Sequence, residues 1–294
     1  MNSHAAAVLF FLAPVSTGAL VASGCAKPPP AAPLTVDDLS VALLRDFPTT
    51  GDGPTTGDGT ATAQALTEWL LVHADEQDGF SLADITAEDV SAMPYDGGED
   101  GDPDMSMQQG IAVTHRVPGT IAQHVAIVPE ADQSFADPSY QTWDRTLVEG
   151  DAAGFAAGEG LVTDNFVEKA SAFNVVIPYG MGKDYRWITL DMSEHGGDAE
   201  TDTLIFRSWV KAPGWQQLDN PDAEPQNGLV YGWTIELWVP DPDGELIWYN
   251  ASWCWLKTVI DDVVDPDYLV QEVIKGTVEY MDGTGAHATG ADQM

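Results

Sequence analysis

The chain has 294 residues, with 47 acidic side chains against 11 basic ones and a formal net charge of −36. That length can bury a substantial core. So few Lys and Arg exclude nucleic acid as a partner, because phosphate binding needs clustered cations, and an anionic membrane would repel the folded part; the acidity speaks for solubility, including in a salty medium.

Ala5 to Val15 is an apolar run, followed by Ser16-Thr-Gly-Ala-Leu-Val-Ala-Ser-Gly-Cys25. The Ala22-Ser23-Gly24-Cys25 end of this segment resembles the lipobox of a bacterial lipoprotein signal peptide. The resemblance implies removal of residues 1–24, lipidation of Cys25 and an exported protein anchored in the cell envelope. An ordinary secretory signal cut nearby is the alternative; Pro14 and the shortness of the run argue against an uncleaved membrane span. Of the two cysteines, Cys254 is then an unpaired thiol and reads as a small core residue.

Lys27 to Pro33 is a Pro/Ala tether. Thr35-Val-Asp-Asp38 is a capping pattern that leads into a short helix through Leu39, Leu43, Leu44 and Phe47. A tandem Pro-Thr-Thr-Gly-Asp-Gly repeat over 48–59 is a linker, since it has nothing apolar to bury. Residues 25–60 are thus tether and linker with one short helix.

Residues 61–107 form a helical extension and an acidic loop. Ala61 to Ala74 reads as a helix with Leu66, Trp69, Leu70 and His73 on one side, and Ser81 to Met93 as one or two short helices. These either pack on the main domain or form a small cap. In Asp96-Gly-Gly-Glu-Asp-Gly-Asp-Pro-Asp104 the 1-3-5 spacing of Asp100, Asp102 and Asp104 opens like an EF-hand loop. Met105 then stands where the turn Gly belongs and Ile111 where the bidentate Glu belongs, so the loop is read as solvated, with a weak Ca²⁺ site as the alternative and no metal assigned.

From residue 108 the texture changes. Ile111 to Val117 is a strand, Gly119 to Val128 a helix, Pro138 to Arg145 a short helix or turn, and Gly150 to Gly160 a loop. Four strand candidates follow: Thr163–Lys169, Ala172–Tyr179, Tyr185–Met192 and Thr203–Ala212. Leu229–Val239 and Glu245–Leu256 are long aromatic strands joined by Pro240-Asp-Pro-Asp-Gly244, which predicts a hairpin. Pro266 to Met281 predicts a helix, capped by Asp265 and carrying one apolar stripe through Leu269, Val270, Val273, Ile274, Val278 and Met281. Gly283 is its expected stop, with 283–294 a flexible tail.

The residues Val113-Thr-His-Arg-Val-Pro118, Tyr140, Trp143-Asp144, Ala172-Phe-Asn-Val-Val-Ile177, the Trp-rich hairpin and helix 266–281 follow one another in an order that resembles the START-like (SRPBCC) superfamily of lipid-transfer domains, polyketide cyclases and Bet v 1-type proteins. The resemblance covers 108–282 in order of elements. It implies an α+β fold in which a curved antiparallel sheet grips a long C-terminal helix, here with an N-terminal helical extension. It also implies a cavity under that helix that holds a hydrophobic or amphipathic small molecule or a lipid, without a cofactor.

No catalytic motif is present. Tyr185, Trp187, Trp209, Trp233, Trp248 and Trp253, with Val273 from the helix stripe, are candidates for lining that cavity; core packing and cross-strand pairing are the other use of such aromatics. Arg207 joins them if its face is the inner one, pairing with Glu236 or an acidic head group. His115 and His124 would be the acid–base groups of a cyclase- or hydrolase-type enzyme using the same cavity, or else plain structural residues. An acidic envelope module binding another protein through exposed aromatics is the remaining reading.

Overall fold

The computed structural model describes residues 35–47, 58–73, 79–97, 103–170, 176–196, 198, 200–216, 227–242, 244–257 and 266–291. The leader, Cys25, the tether, most of the hexapeptide repeat, Asp100 and Asp102 lie outside the described residues. The protein is α+β. Among the described residues nine strands form one antiparallel sheet in the order β1-β2-β9-β8-β6-β5-β4-β3, with β7 paired to β8. These are β1 (Phe80–Leu82), β2 (Gln109–Val117), β3 (Tyr140–Glu149), β4 (Leu161–Ala170), β5 (Val176–Leu190), β6 (Thr201–Val210), β7 (Gly214–Trp215), β8 (Gly228–Pro240) and β9 (Leu246–Lys257).

Both faces of the sheet are covered. One carries α1 (Val36–Arg45) and α2 (Asp58–His73), whose Leu39, Leu43, Leu44, Leu66 and Leu70 pack against Ile205, Tyr231, Trp233, Ile235, Leu237, Tyr249 and Trp253. The other carries α3 (Ile121–Ile127), α4 (Ala152–Ala156) and α5 (Pro266–Thr289). There Val270, Val273, Ile274, Val278 and Met281 meet Tyr185, Phe206, Trp238 and Trp248. Strand alternation makes this division: along β8 the odd residues from Tyr231 face α1 and α2, and Trp238 faces α5. The N-terminal helices therefore pack on the domain.

Several boundaries differ from the sequence expectation. Pro138 to Arg145 is not helical. Tyr140 onward is the edge strand β3, where Trp143 and Arg145 turn inward while Asp144 and Thr146 stay exposed, a two-residue period. The expected short helices over 81–93 give way to β1, paired to β2, and a turn in which Asp89 accepts hydrogen bonds from the backbone N–H and hydroxyl of Thr86. Two strand candidates merge into β5, whose Gly180 and Gly182 lie inside the strand, where Trp209 lies across Gly182. The 150–160 loop contains α4, capped by Asp151. Finally α5 runs past Gly283 to Thr289, and Gly290, at φ 71°, is the left-handed residue that ends it. Gly283 and Gly285 serve a close approach, to Ala136 and Pro118, so part of the expected tail is helix.

Candidate functional site

The α5 face of the sheet contains charge at its centre. Lys183 on β5 and Glu236 on β8 point into the same space, with side-chain exposures of 3% and 2% and 3.9 Å between Nζ and Oε1. The small Ser208 of β6 stands between Lys183 and Thr234 in the strand register and leaves the lysine room to cross. Trp248 donates its indole N–H to Glu236 at 2.8 Å, and the Asn250 side chain bonds the same carboxylate. Tyr280 of α5 places its hydroxyl 3.5 Å from the lysine nitrogen. Three rings surround the ammonium, with Trp143, Phe206 and Tyr280 centroids at 5.2, 5.6 and 5.7 Å.

Burial dominates the electrostatics here. It lowers the lysine to about 8, against the pull of Glu236. It raises Glu236 despite Lys183 and the two hydrogen-bond donors, and with Glu236 it raises Tyr280 well above an ordinary tyrosine. Removal from water thus biases amine, carboxyl and phenol toward their neutral forms, the state in which they donate to or accept from a carbonyl or hydroxyl.

Arg145 borders the site. Its Nε donates to Asn165 Oδ1 at 2.9 Å, which also accepts the Trp143 indole N–H at 3.0 Å, and its Nη1 donates to the Val128 carbonyl. At the outer side Lys169 pairs with Asp137 at 3.3 Å and lies 4.8 Å from the Tyr140 ring centroid. A Cβ on Gly276 of α5 would be 3.9 Å from that ammonium, so the glycine leaves the lysine space beside the helix.

The room under α5 is uneven. Toward its C-terminal half the side chains close up. Between Gln133, Arg145, Tyr185, Trp238, Trp248 and Tyr280, about 10 Å³ remains for the centre of a water-sized sphere, room for a single water at most. The expected hollow beneath the whole helix is therefore plugged at this end, chiefly by Tyr280, which stacks on Trp143 and meets Trp248 edge-on. Toward the other half the packing differs. Burial raises Tyr140, Tyr179 and Cys254, the thiol to about 11, yet all three keep accessible surface. Half-buried Met181, Thr234 and Ser252 share that face.

Of the residues singled out from sequence, Tyr185, Trp187, Trp248 and Val273 lie on the α5 face; Trp187 is at its margin, donating its indole N–H to the Phe155 carbonyl. Arg207, Trp209, Trp233 and Trp253 do not line it. They point to the opposite face, under α1 and α2, because Phe206 and Trp248 fix the alternate parity inward. Arg207 pairs with Asp184 at 3.5 Å, not with Glu236, and lies 4.5 Å from the Phe47 ring centroid. The histidines do not form a pair either. His115 bonds Asp282 at 2.7 Å, while buried His124 donates to the Pro118 carbonyl at 2.9 Å, its pKa lowered by burial. Among the described residues no cluster of three or more His, Cys, Asp or Glu could hold a metal.

Lys183 and Tyr280 were missed from sequence. Lys183 fell in the Gly180-Met-Gly-Lys-Asp184 stretch read as a link, and Tyr280 stood one residue off the apolar stripe. Glu236, an isolated acid within Trp-Thr-Ile-Glu-Leu-Trp, was the visible signal.

No family model matches this chain, and no curated protein matches it. Several solved structures are similar at low scores. Ara h 8.0201 is 14% identical over 62% of this chain and 99% of its own, with a TM-score of 0.31. The Zhui aromatase/cyclase from Streptomyces sp. R1128 is 10% identical over 62% of this chain and 94% of its own, with a TM-score of 0.35. The di-domain ARO/CYC StfQ from the steffimycin biosynthetic pathway is 9% identical over 82% of this chain and 63% of its own, with a TM-score of 0.37. At such values the fold stands on the sheet and helix described above.

Proposed function

We propose that this chain is a helix-grip domain of the START-like kind that binds an amphipathic small molecule between its sheet and α5. The apolar body of the ligand lies against Trp143, Met181 and Tyr179, and its polar group meets Lys183, Glu236 and Tyr280. One observation carries this reading: the buried Lys183–Glu236 pair at 3.9 Å, whose lysine reaches its nearest hydroxyl only at 3.5 Å. A loosely satisfied buried ion pair adds little to stability, whereas a site that must grip a polar group needs one.

Native mass spectrometry and displacement of an environment-sensitive dye test the reading. A ligand retained from expression, or dye displaced by naphthyl alcohols and fatty acids but not by glycerol, supports it. Absence of retained mass and of any displacement rejects it. We further propose that export and a lipid on Cys25 hold the domain at the cell envelope. Cys25→Ser should then move the protein from the membrane to the soluble fraction.

A further inference from the structure

We propose that Lys183 captures carbonyl-bearing ligands covalently, as an imine on the α5 face of the sheet. This rests on the binding reading and narrows it to aldehydes and ketones. The geometry assembles what the reaction needs. The amine is 3% exposed, enclosed by the rings of Trp143, Phe206 and Tyr280, and has a carboxyl at 3.9 Å and a phenol at 3.5 Å. Desolvation in this cage favours the uncharged, nucleophilic amine, in line with the downward shift of Lys183 to about 8.

The steps balance without any outside reagent. Lys183 passes one proton to Glu236, and its nitrogen lone pair forms a bond to the carbonyl carbon. The carbonyl π pair moves to oxygen, which takes a proton supplied within the Tyr280–Glu236 pair, giving a carbinolamine. The nitrogen, left as a secondary ammonium by its attack, passes its next proton to Glu236, and the lone pair so freed forms the C=N bond as the C–O bond breaks. That proton goes to the departing oxygen, which leaves as water. Ammonium plus carbonyl thus becomes iminium plus water, with no change in net charge or oxidation state. Glu236 is the group placed to move both protons, held by Trp248 and Asn250.

The test uses 2-naphthaldehyde and its carbonyl-free counterpart 2-naphthalenemethanol. The protein is incubated with the aldehyde, reduced with borohydride, and analysed by intact mass and peptide mapping. The expected result is a single reduced adduct on Lys183, formed about tenfold faster or more than on the exposed Lys275, and slowed about tenfold or more by Glu236→Gln. Lys183→Met, checked for native circular dichroism, should lose the adduct. Mapping of the unmodified wild-type sequence is decisive even if that variant misfolds. Adducts spread over Lys211, Lys257 and Lys275 with none on Lys183 overturn the covalent step. If the alcohol still binds in that case, the binding reading survives; if neither compound binds, both fall.

Discussion

Gly283 of α5 lies against the carbonyl of Ala136 so closely that a Cβ at that position would sit 2.1 Å from the oxygen. The neighbour is backbone in the short turn Ser134–Ala136 and cannot swing aside. This contact, with that of Gly285 on Pro118, fixes how near the helix comes to the sheet. Gly283→Ala should therefore destabilise the protein by about 1–3 kcal/mol, despite alanine's better helix propensity. Urea midpoints read the effect, and an unchanged or raised midpoint would show that the helix does not sit this close.

The Lys183–Glu236 pair predicts a non-additive pattern. Lys183→Met alone leaves a carboxylate buried without its cation, and Glu236→Leu alone leaves an ammonium, so each should lose about 3–5 kcal/mol. The double variant replaces both charges by apolar groups and should recover most of that loss. A double-mutant cycle in urea measures it. Simple addition of the two losses would mean that the groups do not interact.

How much of this was legible beforehand follows from the physics of each element. Alternation of aromatic residues read out β8 and β9, and the 3.6-residue stripe read out α5, because burial on one side writes its period into the sequence. What alternation cannot give is which parity faces which layer. Trp253 and Trp248 are equally large, and only the packing of α1 and α2 against one and Tyr280 against the other tells them apart. Gly283 looked like a helix stop because a glycine's two uses, positive φ and close approach, share one letter. The sheet's central charge stayed hidden because Lys183 and Glu236 are distant in sequence and meet only across β6.

Alkaline titration separates two opposed effects. Lys183 is at about 8 in the fold against 10.5 for an ordinary lysine. Between those values the unfolded chain holds the extra proton, so this residue makes stability rise with pH. Above about 10 the sign reverses. Tyr185, raised to about 12, and Tyr140, Tyr179, Tyr231, Tyr249 and Tyr280, all raised by burial, keep their protons while the unfolded chain gives them up. Stability should climb modestly from pH 8, pass through a maximum near 10 and then fall steeply, with tyrosinate absorbance appearing together with unfolding. Lys183→Met should abolish the climb and leave the fall. A tyrosinate signal from most of these residues in the folded state at pH 10.5 would contradict the burial described here.

The last prediction separates the two faces of the sheet. Trp248 and Trp253 lie on the same strand at opposite parity: Trp248 donates to Glu236 at 2.8 Å, and Trp253 donates to the Ala83 carbonyl at 2.9 Å on the other side. Replacing either by Phe removes a buried indole N–H and some volume, so both should lower stability to a similar extent, roughly 1–3 kcal/mol. Their effects on binding should differ. Trp248→Phe strips a donor from Glu236, raises that carboxyl further and alters the polar end of the site, so the affinity for 2-naphthalenemethanol should change severalfold. Trp253→Phe, with the sheet between it and Lys183, should bind as the wild type does once measured well below its melting temperature. Isothermal titration of the two variants decides the matter: equal losses would place the ligand elsewhere, and a loss confined to Trp253→Phe would put it under α1 and α2.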